Sequence, residues 1–159
     1  MDRVEFKREM KETYTILAPD MLPIHFSILV KVFQLHGYKL EILKNEGQDV
    51  VNAGLKYVHN DTCYPALLCI GQFISALESG KYDLNHTALM LTQTGGGCRA
   101  SNYIHLLRKA LQKAGMSQIP VISLNPAGLE KNSGFRFTPK LLIELLYSVY
   151  YGDVLMLLK

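Results

Sequence analysis

The residues best equipped for chemistry are Cys98 and Cys63. Cys98 lies in the stretch Thr87-Ala88-Leu89-Met90-Leu91-Thr92-Gln93-Thr94-Gly95-Gly96-Gly97-Cys98-Arg99-Ala100-Ser101-Asn102-Tyr103. The apolar run Ala88 to Leu91 reads as a buried strand, and three consecutive glycines end it and permit close approach of backbone or ligand. A helix is expected to open at Ser101, so the thiol follows a strand's carboxyl end and precedes a helix N-terminus, where an anion is favoured. Cys63 stands in Asn60-Asp61-Thr62-Cys63-Tyr64-Pro65. Pro65 suits a first helical turn and Asp61 or Thr62 is the expected cap, which gives Cys63 a similar setting. Two such thiolates suit a soft metal or an iron–sulfur cluster. Cys69 differs: helical spacing groups it with Ala66, Ile70, Phe73 and Leu77 as a packing residue.

Other site chemistries are weaker. The triple glycine lacks the lysine and Ser/Thr of a P-loop and is not GxGxxG. His25, His36, His59, His86 and His105 form no metal-binding HExxH pattern, and no motif supplies a base for Cys98 as a nucleophile. His105 reads as a surface residue.

The elements that must position these residues alternate. Strands are expected near Thr13–Ala18, Lys39–Leu43, Thr87–Leu91 and Pro120–Leu124. Helices are expected from Pro23 to before Gly37, over Gly47–Val58 and Ala66–Leu77, from Ser101 to before Gly115, and after Thr138-Pro139. Compact β-α-β units with right-handed crossovers imply a mostly parallel sheet. The expected fold is therefore a three-layer α/β domain, Rossmann-like or flavodoxin-like, with four strands in the order 2-1-3-4. Residues 1–12 are expected to be a frayed polar lead-in, and residues 13–159 a single domain.

The composition is that of an ordinary globular chain of 159 residues, with 19% charged residues, 48% hydrophobic residues and a net charge of +3. No dense basic cluster points to nucleic acid. Three cysteines without framework spacing, and a charged N-terminus, point to a reducing cytoplasm. Leu141 to Leu158 is too interrupted by Glu144, Gly152 and Asp153 for a membrane span. The abrupt apolar ending reads as that of a segment from a longer protein.

Several stretches resemble the 2-hydroxyacyl-CoA dehydratase family. They are Asn60 to Ala66, Gly71-Gln72, Ser79-Gly80-Lys81-Tyr82-Asp83 and, above all, Thr92 to Tyr103. The nearer resemblance is to the large activase-related proteins, in which a module similar to the dehydratase D-component is fused to an ATPase activator. It runs from about Tyr14 onward and includes Pro120 to Leu124 and Tyr151-Gly152-Asp153. The resemblance implies an oxygen-sensitive [4Fe-4S] cluster that receives low-potential electrons from an ATP-driven activator module, fused or separate. In the dehydratases such an electron makes a ketyl radical of a 2-hydroxyacyl-CoA thioester, which then loses water.

By position, Cys63 and Cys98 would be cluster ligands, with Gly95, Gly96, Gly97, Arg99, Ser101 and Asn102 forming the surrounding loop. The remaining ligand would come from a further segment, a partner copy in a homo-oligomer, or solvent. The activator's own ATPase motifs are not in this chain. The alternative reading is a non-catalytic α/β module whose glycine loop holds an anion or docks an activator. Under the cluster reading the two sulfurs should face one pocket at the strands' carboxyl ends, within roughly 10 Å of each other.

Overall fold

The computed structural model describes residues 3–59, 61–93, 102–125 and 133–159. In chain order the elements are α1 (Met10–Thr13), β1 (Thr15–Pro19), α2 (Pro23–Leu35), β2 (Lys39–Leu43), α3 (Gln48–Tyr57) and α4 (Tyr64–Glu78). A 3-10 turn, Leu84–His86, then leads to β3 (Thr87–Thr92), α5 (Tyr103–Lys113), β4 (Val121–Leu124) and α6 (Pro139–Leu157).

The four strands form one sheet in the order β2-β1-β3-β4, and every pair is parallel. Thr15 pairs with both Lys39 and Thr87, and Leu89 pairs with Val121. This is the doubly wound α/β arrangement expected from the alternation of periods. Side chains alternate across the strands and so sort into two cores. Leu17, Leu89 and Leu91 meet Ile70, Phe73 and Ile74 of α4 and Ile104 and Leu107 of α5. Ile16, Ala18, Ala88 and Met90 face the opposite way, against Phe33 of α2, Tyr38 and Phe135.

Local chemistry accounts for most boundaries. Pro23, Pro65 and Pro139 each sit in the first turn of a helix, where the missing N–H would have had no intrahelical partner. The Thr138 hydroxyl caps α6 by accepting from Leu141 N–H at 3.2 Å. Gly37 takes φ of +79° just beyond the end of α2, a conformation that favours glycine. β1 begins at Thr15, not Thr13, because Met10–Thr13 forms a helical turn whose end is tied by Tyr14 N–H to Met10 C=O.

The frayed lead-in needs correction. Phe6 is fully buried in the second core. Its carbonyl accepts from Gly134 N–H at 2.9 Å, and Glu5 Oε1 accepts from Ser133 N–H at 2.7 Å. One large aromatic outweighs a polar neighbourhood, since burying such a side chain contributes roughly 1.5–3 kcal/mol.

Candidate functional site

The chain leaves each strand at one rim of the sheet. Asp20 follows β1, Asn45 lies just beyond β2, Gln93 follows β3 and Asn125 follows β4. Gln93 and Asn125 are both buried. Ser123 of β4 is buried too, and its hydroxyl donates to Gln93 Oε1 at 2.7 Å. The backbone continues this junction, with Gln93 N–H donating to Leu124 C=O at 3.1 Å. The glycine–cysteine segment therefore leaves from a fixed, buried amide. On the β2 side, Asn45 and Gln72 exchange side-chain-to-carbonyl bonds, each 3.0 Å, which pin the loop after β2 to α4.

Cys63 is the N-cap residue of α4, in extended conformation, without a side-chain capping bond. The expected caps, Asp61 and Thr62, do not occupy that position; Asp61 Oδ2 lies 3.3 Å from His59 Nδ1. The thiol is half-buried, and its Sγ lies 3.1 Å from the Tyr103 hydroxyl, either group able to donate. Tyr103 is the first residue of α5, the helix that follows β3. This contact bridges the N-termini of α4 and α5 and places Cys63 at the carboxyl rim of β3.

The donors around this sulfur differ from those of a simple helix N-terminus. Pro65 has no N–H, and the Cys63 carbonyl accepts from both Ala66 N–H (3.0 Å) and Leu67 N–H (3.2 Å). The backbone groups that usually hold an anion in the first turn are thus reduced in number. The Tyr103 hydroxyl, able to donate, lies beside the sulfur instead, and the dipole of the 15-residue α4 remains. Tyr103 stands 40 residues along the chain from Cys63, so no local spacing in the sequence signals the pairing.

Asn102 is the exposed N-cap residue of α5 and makes no side-chain capping bond. Gly95, Gly96, Gly97, Cys98, Arg99 and Ser101 lie outside the described residues, and with them the expected approach of Cys98 to Cys63. Cys69 is buried on the packing face of α4, and burial, with Cys63 nearby, pushes its thiol up to about 11. That environment suits a core thiol and not a thiolate ligand. His105 is exposed. Among the described residues no group of three or more His, Cys, Asp or Glu side chains is arranged to hold a metal ion.

A cavity of about 810 Å³ lies elsewhere, along the edge strand β2, lined among others by Phe26, Val30, Ile42, Ser75 and Tyr82. In its lining, Asp20 Oδ1 and Asn45 Oδ1 are buried acceptors without a hydrogen-bond partner among the described residues. Glu41, also in its lining, accepts from Tyr82 (2.6 Å) and Lys81 (2.9 Å). Those two bonds, that from Tyr82 first, hold its carboxyl below the usual range.

Among the described residues no helix is long and apolar enough to cross a membrane. In comparisons with known proteins, no family model matches the chain, and no match was found among curated proteins or solved structures.

Proposed function

We propose that this chain is an iron–sulfur electron-accepting module of a 2-hydroxyacyl-CoA dehydratase-like or activase-related protein, working in the cytoplasm. It would receive low-potential electrons from an ATP-driven activator. The supporting observation is the Cys63–Tyr103 contact: a half-buried thiol at the N-terminus of α4, held by a hydroxyl at the start of the helix that follows the glycine–cysteine motif.

The described part of the site fits one thiolate ligand. Cys63 is at the rim, accessible, and beside a donor of the kind that stabilises ligating sulfur. Cys63 and Cys98 would hold the cluster, a [4Fe-4S] group whose chemistry is one-electron transfer. The Tyr103 hydroxyl would donate to the Cys63 sulfur and fix its direction. The positive end of α4 would favour the negative charge that a cluster places there. The buried Ser123–Gln93 bond would hold the residue from which the glycine–cysteine segment departs. An acyl-CoA thioester is the substrate class this reading assigns to the assembled system.

The competing reading is a docking or anion-binding module without redox chemistry. It draws on the uncharged amides and hydroxyl of the rim, Gln93, Ser123 and Asn125. Anaerobic iron and sulfide analysis separates the two. The cluster reading expects iron and acid-labile sulfide in stoichiometric amounts, lost in Cys63→Ala and in Cys98→Ala. Full cluster content after both replacements, or none in the anaerobically reconstituted protein, would remove it.

A further inference from the structure

The helix α6 is packed inside out. Its buried face is made of Leu141, Ser148 and Gly152. Gly152 lets α6 come so close to α2 that a Cβ there would stand 2.3 Å from His25 Cδ2. Its two carboxylates are drawn toward α2 as well: Glu144 Oε2 lies 2.7 Å from His36 Nε2, and Asp153 Oδ1 lies 3.0 Å from His25 Nε2. Apart from buried Leu141 and partly buried Leu145, most of its bulky side chains are left exposed. Tyr147 is 62% exposed, Tyr150 64% and Leu157 87%. A surface helix of a monomer normally does the reverse.

The outward residues are also ordered. Exposed Ile143, Tyr147, Tyr150 and Leu157, with half-buried Val154, follow one another at spacings of 4, 3, 4 and 3. That is the repeat of a helix-pairing seam. It lies on the opposite side of α6 from Leu141, Ser148 and Gly152, so one helix carries two seams and α2 satisfies only one. No seam position is charged, so two copies meeting there bring no like charges face to face at the seam. The exposed seam residues Ile143, Tyr147, Tyr150 and Leu157 present roughly 600 Å² together, so two copies would bury about 1,200 Å², the lower end of a specific interface.

We propose that this face binds a second copy of the chain, the two α6 helices packing antiparallel about a twofold axis near Tyr150. An isologous interface requires a patch complementary to itself, and this seam is. Centred on Tyr150, it sets Ile143 against Leu157 of the other copy, large Tyr147 against smaller Val154, and Tyr150 beside its own counterpart. The proposal does not depend on the cluster reading.

Sedimentation equilibrium of the whole chain at tens of micromolar should give twice the 17.9 kDa chain mass. Tyr150→Glu should weaken association at least 100-fold while leaving the far-ultraviolet circular dichroism native. Leu55→Glu, at an exposed apolar position on α3, should leave the dimer intact. If Tyr150→Glu fails to fold, Tyr150→Cys decides: mild oxidation should give a dimer linked through the two introduced thiols, which the unmutated chain does not give. A monomer at these concentrations, open-ended association, or a dimer in which the introduced thiols do not cross-link would each overturn the proposal.

Discussion

Replacing Gly71 by alanine tests the packing that carries Cys63. Helices α3 and α4 cross at a reciprocal close approach. A Cβ at Gly71 would stand 2.1 Å from the Val50 carbonyl oxygen, and one at Gly54 would stand 2.6 Å from the Leu67 carbonyl oxygen. Both obstacles are backbone, so neither can be relieved by turning a side chain. Restoring a contact of about 3.5 Å requires α3 to retreat by roughly 1.4 Å along its contact with α4. Overpacking of this kind costs about 1–3 kcal/mol, and a backbone obstacle puts Gly71 at the upper end. Alanine returns about 1 kcal/mol through its better helix propensity. The net expectation is a loss of about 2 kcal/mol, which lowers Tm by roughly 4–8 °C in a chain of this size. Gly80→Ala is the control, because nothing lies within 4 Å of its would-be Cβ and only its φ of +74° opposes the change. Its cost should be about 1 kcal/mol. Urea titrations followed by circular dichroism measure both. A Gly71→Ala protein as stable as the unmutated chain, or more stable than Gly80→Ala, would refute the close-approach reasoning.

Two further outcomes follow from titrating groups. Glu41 has its carboxyl lowered by Tyr82 and Lys81, so its contribution to stability is present above the ordinary glutamate value of about 4.3 and is lost as pH falls through the lower folded value. Glu41→Gln should therefore be less stable at pH 7 by a few tenths of a kcal/mol, solvent screening keeping the effect small, and the gap should close on acidification to pH 3; a gap unchanged with pH contradicts the assignment. Cys69, with its thiol pushed up to about 11 by burial, should resist iodoacetamide at pH 8 in the folded protein and react once urea unfolds the chain, as read by peptide mass spectrometry; rapid labelling of Cys69 under native conditions would place it outside the core.

Much of the fold was legible in local pattern. The run that became β3 is short and apolar, the one that became β2 alternates apolar with charged residues, and helical periods separate the strands. Those facts, with the handedness of parallel crossovers, suffice for the parallel sheet and the order 2-1-3-4. Cys69 could be assigned to the core because its helical neighbours are apolar, and the structure buries it. What local pattern missed has one physical cause: contacts made across long separations in the chain. Phe6 is buried by elements far along the chain, so its polar neighbours in sequence were misleading. Gly71 reads as an ordinary helix interruption until α3 is laid against it.

For the candidate site the division is sharper. Residue type and loop context were enough to single out Cys63 and Cys98, because a thiol beside a helix start is a property of neighbouring residues. The partner of Cys63 was not, since Tyr103 lies 40 positions away and meets the sulfur only when α4 and α5 flank the same strand. Likewise Ser123 and Gln93, 30 residues apart, become a bonded pair only because β3 and β4 are adjacent in register. The direction of α6 is of the same kind: sequence showed an apolar stretch, Leu141 to Leu158, interrupted by Glu144, Gly152 and Asp153, and tertiary packing decided which side would be buried. Gly152 allows a close approach to α2, so its side of the helix, with Leu141 and Ser148, turned inward and most of the large apolar side chains were left outside.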